Sequence, residues 1–299
     1  MDHIPFITFL NNRGIEYYQN YPSYKLNYFE TGKYIEIAVF PNTSNQICMT
    51  LDYLNKLKIK YFLIGKGTNV YFSDYYDGVI VSTSKLNKIS VNGDILTAWC
   101  GADISDCSFV ASEASLSGLE FAYGIPGSVG GGIYMNCSAY GGTISDIVFK
   151  STVYDISKNE IYDINRDEHL FAEKSSVFLI KDKIALSTSF KLKKEKREII
   201  HMKMNENLRK RILTQPLEYG SGGSTFKKPK NAHASKLIDD CGLKGFCVNG
   251  ASVSNKHAGF IVNKGNATSE DIKKLIEYLK YIILDRYGIK LEEEIILIE

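Results

Sequence analysis

The spacing of hydrophobic residues predicts a mixture of helices and strands along the chain. Apolar residues from Thr43 to Ile59 recur at roughly helical spacing, and the strand-like run YFLIG follows them and ends at Gly65. A second helical stretch runs from Asp103 to Leu116. Residues 143 to 192 alternate short β-branched runs with polar turns, which predicts antiparallel strands.

The last third of the chain predicts two more helices and a final strand. HASKLIDDCG is typical of a helix that ends at Gly242, and the run TSEDIKKLIEYLKYIILDRYG of a longer helix that Thr268 caps and Gly288 ends. The chain closes on the strand-like EIILI. Apolar residues of the longer helix share one face, and they are Ile272, Leu275, Ile276, Leu279 and Ile283.

Length and pattern together predict an α+β protein in two parts. The 299 residues can bury the cores of two ordinary domains. The charged run from Lys191 to Leu213 is typical of a solvated helix or linker, and we place the domain boundary there. The predicted domains are residues 1–198 and 199–299.

Charge and composition exclude several classes of partner. The chain has 36 Lys and Arg against 34 Asp and Glu, so it has no basic field to hold nucleic acid or a membrane surface. The sequence shows no basic leader and no run of 18 apolar residues, which predicts a soluble cytoplasmic protein. Six cysteines without metal-like spacing predict reduced structural thiols and no metal site: Cys48, Cys100, Cys107, Cys137, Cys241 and Cys247.

Two glycine-rich segments are the strongest candidates for binding a ligand. In GKGTNVYFSD, Gly65 and Gly67 directly follow a predicted strand, where glycine lets successive N–H groups point at an anion. An ordinary strand-to-loop turn also fits this short pattern. The segment GLEFAYGIPGSVGGGIYMNCSAYGG, from Gly118 to Gly142, has three glycine clusters and suits backbone that lies flat against a large planar ligand with a pyrophosphate. A purely structural loop is the alternative.

Four ordered motifs resemble one known family. GIPGSVGG, MNCSAYGG, GSGGSTFKKP and the terminal LEEEI occur in the same order as in UDP-N-acetylenolpyruvoylglucosamine reductases, over a stretch from about Thr31 to the C-terminus. The resemblance implies an FAD-binding fold of the vanillyl-alcohol-oxidase (PCMH) type, with two subdomains at about 1–85 and 86–198. It also implies a C-terminal α+β domain that binds the nucleotide substrate. The direct run from GSGGSTFKKP to the last helix resembles the shorter subclass, which lacks a loop that covers the substrate.

By this resemblance, the glycine segments bind FAD. Gly65 to Asn69 and Gly124 to Gly131 would hold its pyrophosphate, and Asn136 to Gly141 would line the same cofactor. The predicted cofactor residues are Gly65, Lys66, Gly67, Thr68, Asn69, Gly124, Ile125, Pro126, Gly127, Ser128, Gly130, Gly131, Asn136, Ala139, Tyr140 and Gly141.

The family's reaction passes a hydride from NADPH through FAD to C3 of an enolpyruvyl ether and then protonates C2. The carbanion needs hydrogen-bonding or cationic groups at its carboxylate and a proton donor. Ser224 matches the family's proton-donating serine, although a serine in such a turn also commonly bonds its own backbone. Glu294 matches the family's C-terminal catalytic glutamate, while a run of three glutamates can also be surface charge.

Two positions depart from the family pattern. The family has a Tyr-Arg pair where FAEKSSVF gives Glu173 and Lys174, and lysine keeps the charge without the two-point contact of arginine. A turn near Gly32 also lacks the usual basic residue and second glycine. These differences favour, as an alternative, a diverged flavoenzyme that acts on another nucleotide sugar or enol ether.

The remaining candidates are groups for the uridine diphosphate of the substrate. Lysine binds phosphate as a point charge, and polar side chains can read other groups. These candidates are Arg211, Gln215, Lys227, Lys228, Lys256 and Asn263. The expected partner is a small nucleotide sugar, and a monomer is expected. A non-catalytic flavin-binding protein is a further alternative, which the presence of both Ser224 and Glu294 disfavours.

Overall fold

The computed structural model describes residues 3–180 and 182–299. The chain forms two compact units, each assembled from three separated segments. Unit 1 contains Met1–Tyr18, Ala38–Lys66 and Val79–Lys210, and unit 2 contains Gln19–Ile37, Gly67–Gly78 and Arg211–Glu299. The boundaries between the units fall within three strands, in the loop between Lys66 and Gly67, and near the end of one long helix.

The helices that the sequence predicts begin and end close to the expected residues, and the structure adds the short helices α1, α4, α5 and α6. Thr43 caps α2 by accepting a hydrogen bond from the Gln46 amide, and Asp103 caps α3 by accepting one from the Ser105 amide. The helices are α1 Ile4–Asn12, α2 Ser44–Lys56, α3 Ile104–Glu113, α4 Val129–Tyr134, α5 Ile144–Ile147, α6 Val177–Ile180, α7 Arg197–Thr214, α8 Ala234–Asp240 and α9 Ser269–Tyr287. Three short 3-10 helices occupy Ser23–Leu26, Glu120–Ala122 and Arg166–His169.

The strands are short and form several small sheets. They are β1 Glu16–Pro22, β2 Tyr34–Phe40, β3 Tyr61–Ile64, β4 Val70–Phe72, β5 Tyr75–Ser82, β6 Ile89–Asn92, β7 Ile95–Trp99, β8 Leu116–Ser117, β9 Ser138–Ala139, β10 Gly142–Thr143, β11 Val148–Asp155, β12 Glu160–Asn165, β13 Lys183–Lys191, β14 Lys193–Lys194, β15 Gly220–Ser224, β16 Cys247–Val248, β17 Ala251–Val253, β18 Phe260–Asn263 and β19 Ile296–Ile298.

An antiparallel five-stranded sheet in the order β12-β11-β13-β7-β6 forms the centre of unit 1. The prediction of antiparallel strands over residues 143 to 192 is therefore confirmed. Helices α3 and α4 pack on this sheet, and side chains such as Ile104, Val129 and Phe190 are fully buried between them. Burial of these side chains fixes the glycine segment that precedes α4.

A second sheet has the order β1-β2-β5-β3. Its strand β3 pairs in parallel with β5, so that Tyr61 lies opposite Val79 and Ile64 opposite Ser82. The unit boundaries fall within β1, β2 and β5. Because β3 ends at Ile64, the first glycine segment begins at the carboxyl end of a paired strand.

Unit 2 contains a four-stranded sheet in the order β15-β18-β17-β16, against which α9 packs. Helix α9 begins with a capping box between Thr268 and Asp271 and ends at Gly288, whose φ is +66°, as the sequence predicts. The predicted apolar face of α9, including Ile272 and Ile283, is buried in the core of the unit. The final strand β19 pairs in parallel with β4.

Within the described ranges, no helix has the length and apolar character needed to span a bilayer. All six cysteines are free thiols, and Cys48, Cys100 and Cys107 are buried. Burial raises the pKa of the Cys100 thiol to about 12, so this thiol remains protonated at neutral pH.

Candidate functional site

The first glycine segment, Gly65–Asn69, has backbone amides that point away from protein acceptors. No residue in 3–180 or 182–299 accepts a hydrogen bond from the amides of Gly67, Thr68 or Asn69. Gly67 has a φ of +67°, and a Cβ there would overlap the main-chain carbonyl of Leu26. Only glycine fits this position, and the resulting turn leaves successive N–H groups available to an anion.

Main-chain hydrogen bonds fix the second glycine segment, Gly124–Gly131, to the start of α3. The Ile104 amide donates to the Gly127 carbonyl at 3.0 Å, and the Val129 amide donates to the Ala102 carbonyl at 2.8 Å. These bonds hold the segment extended. Among the residues that the structure describes, no acceptor faces the amides of Gly127 and Ser128. These two amides are therefore the ones in this stretch that can meet a phosphate.

The two glycine segments come into direct contact at Gly65 and Ser128. A Cβ on Gly65 would overlap the Ser128 hydroxyl. That hydroxyl caps α4, because it accepts a hydrogen bond from the Gly131 amide at 3.2 Å. A methyl group at position 65 would therefore displace this hydroxyl from its bond with Gly131. The absence of side chains in the two glycine segments leaves room for a large cofactor.

Lys66 forms an ion pair with Asp103. The same carboxylate caps α3 by accepting a hydrogen bond from the Ser105 amide at 2.8 Å. The Lys66 ammonium, predicted to contact the cofactor, thus lies beside an anion of the protein that offsets its charge. Asp103 links the first glycine segment to the helix that holds the second one, a role that sequence reasoning missed.

The third predicted cofactor segment, Asn136–Gly141, forms a tight hairpin. Ala139 pairs with Gly142 across a two-residue turn, and both turn residues, Tyr140 and Gly141, have positive φ, as in a type I′ turn. Tyr140 lies at the tip and is 38% exposed. The side chain of Asn136 is buried and hydrogen bonds the backbone of Ala172 and Ser145.

Ser224 and Glu294 lie on neighbouring extended segments of unit 2. The Glu294 amide donates to the carbonyl of Thr225, the residue after Ser224, at 2.8 Å. Ser224 is exposed at the end of β15, and Glu294 is partly buried. Gly222 lets β15 pack against Phe29, because a Cβ there would lie 2.5 Å from the Phe29 ring. The fold thus brings together two predicted catalytic residues that are 70 positions apart in the sequence.

Lys174 occupies a tight turn in unit 1. Ala172 and Ser175 exchange two main-chain hydrogen bonds across it, and Lys174 has a φ of +53°. Lysine rarely adopts this left-handed conformation, because its Cβ crowds the following carbonyl. Strained residues of this kind are common at functional sites, where surrounding contacts hold them in place.

The predicted substrate residues differ in their surroundings. Lys227 lies 3.4 Å from the Glu292 carboxylate, Lys256 lies 3.8 Å from Glu218, and Lys228 is exposed. Arg211 is buried and donates to the Gln215 side chain at 2.9 Å, so these two residues act as one pair. The side chain of Asn263 bonds the backbone of Phe29, Gly265 and Ala267.

Comparison with known proteins decides the family. The model of the FAD binding domain matches residues 35–165, and that of the UDP-N-acetylenolpyruvoylglucosamine reductase C-terminal domain matches residues 215–298. The UDP-N-acetylenolpyruvoylglucosamine reductase of Caldicellulosiruptor bescii is 40% identical over 293 residues, which cover 97% of this chain and 93% of that protein. The chain belongs to this family.

Other members of the family are similar to this chain over most of their length. The UDP-N-acetylenolpyruvoylglucosamine reductase of Petrotoga mobilis is 42% identical over 273 residues and 89% of each chain. The crystal structure of UDP-N-acetylenolpyruvylglucosamine reductase from Thermus caldophilus superposes with a TM-score of 0.80 at 25% identity, and covers 95% of this chain and 99% of that one. The predicted α+β fold, with an FAD-binding part and a reductase C-terminal domain, is confirmed.

Proposed function

We propose that this chain is an FAD-dependent, NADPH-oxidising reductase that converts UDP-N-acetylglucosamine enolpyruvate to UDP-N-acetylmuramate for peptidoglycan synthesis. Identity to curated reductases over nearly the whole chain supports this activity. The observation that carries the catalytic assignment is the hydrogen bond from the Glu294 amide to the Thr225 carbonyl. It puts a hydroxyl and a carboxyl group on adjacent segments, an arrangement that a protein which only bound flavin would not need.

The glycine segments fit FAD through their backbone. In this proposal the glycine segments Gly65–Asn69 and Gly124–Gly131 bind the pyrophosphate, as the family resemblance implies. Within unit 1 the unpaired amides of Gly127 and Ser128 support this assignment, and within unit 2 those of Gly67, Thr68 and Asn69 do so. When bound, FAD accepts a hydride from NADPH and delivers it to C3 of the enolpyruvyl group. The protein excludes side chains from the cradle and fixes its backbone, which is the task of Gly65 against Ser128.

Three side chains are proposed to stabilise the negative charge of the carbanion and to supply the proton for C2. Hydride addition at C3 leaves negative charge at C2 and on the adjoining carboxylate. The Ser224 hydroxyl gives a proton to C2, and the partly buried Glu294 carboxyl hydrogen bonds the reacting group. Lys174 stabilises the carboxylate with its positive charge, which is worth most where water is excluded.

The nucleotide end of the substrate is assigned to residues 199–299, and FAD to residues 1–198. Lys227, Lys228 and Lys256 are candidates for the diphosphate, and the Arg211–Gln215 pair for a further polar group. We expect the protein to be a monomer. We also expect it to work in the cytoplasm, because its proposed nucleotide-sugar substrate and NADPH are cytoplasmic metabolites.

One observation favours a second candidate function. Glu173 and Lys174 stand where the resemblance leads us to expect Tyr-Arg, and lysine cannot make the planar two-point contact with a carboxylate. A diverged reductase that acts on another enol ether or nucleotide sugar would tolerate this change.

An anaerobic experiment tests the proposal. The purified yellow protein is bleached with one equivalent of NADPH, and UDP-N-acetylglucosamine enolpyruvate is then added. Return of the flavin absorbance with formation of UDP-N-acetylmuramate supports the proposed reaction. Bleaching by NADPH without return of the absorbance favours the diverged reductase, and a colourless protein that cannot be reconstituted with FAD overturns both.

A further inference from the structure

The turn that carries Lys174 is attached on both sides to the end of α4. Before the turn, the Asn136 side-chain amide donates to the Ala172 carbonyl at 3.0 Å. After the turn, the Ser176 hydroxyl donates to the Tyr134 carbonyl at 2.9 Å. Both attachments come from buried side chains, and Ser176 is completely inaccessible to solvent.

Asn136 is itself held from a second direction. Its side-chain oxygen accepts a hydrogen bond from the Ser145 amide at 3.1 Å, and its φ of +47° is in the left-handed region that asparagine tolerates. The amide group therefore bridges two segments of backbone. A buried group with this pattern of donor and acceptor bonds fixes the position of its partners.

These contacts connect Lys174 to the proposed cofactor cradle. Helix α4 begins directly after Ser128, and its end at Tyr134 is followed by Asn136. Any displacement of α4 relative to the turn would break the bonds of Asn136 and Ser176. One short stretch of chain thus defines both the second glycine segment and the origin of the Lys174 side chain.

We infer that Asn136 and Ser176 are positioning residues, which act by fixing the strained turn of Lys174 on α4. This inference rests on the proposed function, in which Lys174 stabilises the carboxylate of the substrate. Without the two bonds, the turn can relax from the left-handed conformation at Lys174. A misplacement of about 1 Å can slow a reaction roughly 100-fold, and the flexible lysine chain should reduce the loss to about 10-fold.

The experiment measures both half-reactions separately by anaerobic stopped-flow absorbance. Ser176→Ala adds no volume and removes the bond to the Tyr134 carbonyl, together with a bond that the hydroxyl accepts from the Phe178 amide at 3.3 Å. Asn136→Asp keeps the acceptor for Ser145 but loses the donor to Ala172. We expect each variant to slow reoxidation by the enolpyruvyl nucleotide about 10-fold, and we expect Ser176→Ala to leave reduction by NADPH unchanged. Ser112→Ala is the matched control, because Ser112 is also buried and donates to a main-chain carbonyl, that of Phe109, at 2.7 Å.

A double-mutant cycle with Lys174→Met distinguishes positioning from general damage. If Ser176 acts through Lys174, Ser176→Ala should cause no further slowing in the Lys174→Met background. Independent, multiplicative slowing would overturn the inference, as would normal rates for both single variants when Lys174→Met is slow. Normal reoxidation by Lys174→Met would refute the proposed role of Lys174, and the positioning role with it.

Discussion

The side-chain amide of Asn69 donates a hydrogen bond to the main-chain carbonyl of Glu294 at 2.9 Å. The main chain of Asn69 also accepts a bond from the Ile296 amide at 3.0 Å, next to the parallel pairing of β4 with β19. The loop proposed to hold FAD and the segment with the proposed catalytic carboxyl group are therefore bonded to each other within unit 2. Asn69 has a second role beyond the one that its motif predicts.

Asn69→Ala should slow the reaction with the enolpyruvyl nucleotide more than it slows reduction by NADPH. Its loss leaves the Glu294 carbonyl without this donor, at a cost of about 1 kcal/mol, and loosens the segment that holds the carboxyl group. Single-turnover absorbance measures both steps, and Asn92→Ala, at the exposed end of β6, is the control. Equal slowing of both steps would mean that Asn69 acts on the cofactor alone.

Gly65→Ala should weaken FAD binding about 10-fold or more, which corresponds to roughly 1.4 kcal/mol. The new methyl group overlaps the Ser128 hydroxyl, so this hydroxyl must leave its bond with the Gly131 amide or the backbone must shift. Fluorescence titration of the apoprotein gives the Kd. Ser128→Ala should restore part of the affinity of Gly65→Ala, because the Ser128 Cβ would still lie 3.2 Å from the new group.

Gly93→Ala is the control for the loss of a glycine. Gly93 has a φ of +63°, but nothing lies within 4 Å of the position of its Cβ. This variant should lose stability without losing affinity for FAD. If Gly65→Ala binds FAD as tightly as Gly93→Ala does, the contact between the two glycine segments has no part in cofactor binding.

Ser224→Ala should leave reduction by NADPH nearly intact and slow reoxidation by the enolpyruvyl nucleotide. A positioned general acid contributes roughly 10²–10⁴-fold, so a loss of that order is expected. Ser221→Ala, in the same strand β15, should behave like the parent protein in both steps. A normal rate for Ser224→Ala would reduce Ser224 to a structural residue of the turn.

Lys174→Arg should keep or raise the rate of reoxidation by the enolpyruvyl nucleotide, because guanidinium adds a second donor in a geometry that suits carboxylate. Lys174→Met should slow this step, since it removes the positive charge while keeping a long side chain. Reduction by NADPH should change little in either variant. The exposed Lys158→Met is the control, and parent-like turnover by Lys174→Met would show that the charge is not needed.

Stability should fall below pH 6.5 because of His169. This buried ring contacts the Asn165 carbonyl at 2.9 Å and the Ser151 hydroxyl at 2.8 Å, and burial lowers its pKa below the usual 6.5. The unfolded chain therefore takes up the proton at a higher pH than the folded chain. Stability is complete above pH 6.5 and is lost as the pH falls toward the lower pKa of the folded state.

Urea unfolding at pH 7.5 and pH 5.5 measures this effect. His169→Asn should be less stable than the parent at neutral pH, because a smaller amide fills the buried site. Its free energy of unfolding should nevertheless change less between the two pH values. A pH dependence identical to that of the parent would assign the loss of stability to other groups.

Local signals explain why most of the fold was predictable from the sequence. Thr43, Asp103 and Thr268 each precede an apolar helical pattern, and each caps a helix. Gly288 ends α9 in the left-handed conformation. These signals lie within a few residues of the element that they define, so sequence pattern alone is sufficient.

The partners of polar side chains could not be predicted from the sequence where the contacts join residues that are distant along the chain. The ion pair of Lys66 with Asp103 joins residues 37 positions apart, and no local pattern indicates it. Asn136 and Asn263 occur in motifs that suggested ligand binding, but their side chains bond the backbone. An amide can serve a ligand or the protein equally well, and only the folded chain shows which it does.

The contact between Gly65 and Ser128 also restricts the order in which these positions can change during evolution. A side chain at position 65 competes for space with the hydroxyl at position 128 and displaces it from the cap of α4. Loss of the hydroxyl costs only the cap of α4, about 1 kcal/mol, and is the easier first step. Lineages that carry alanine at position 65 should therefore have replaced the serine at position 128 beforehand.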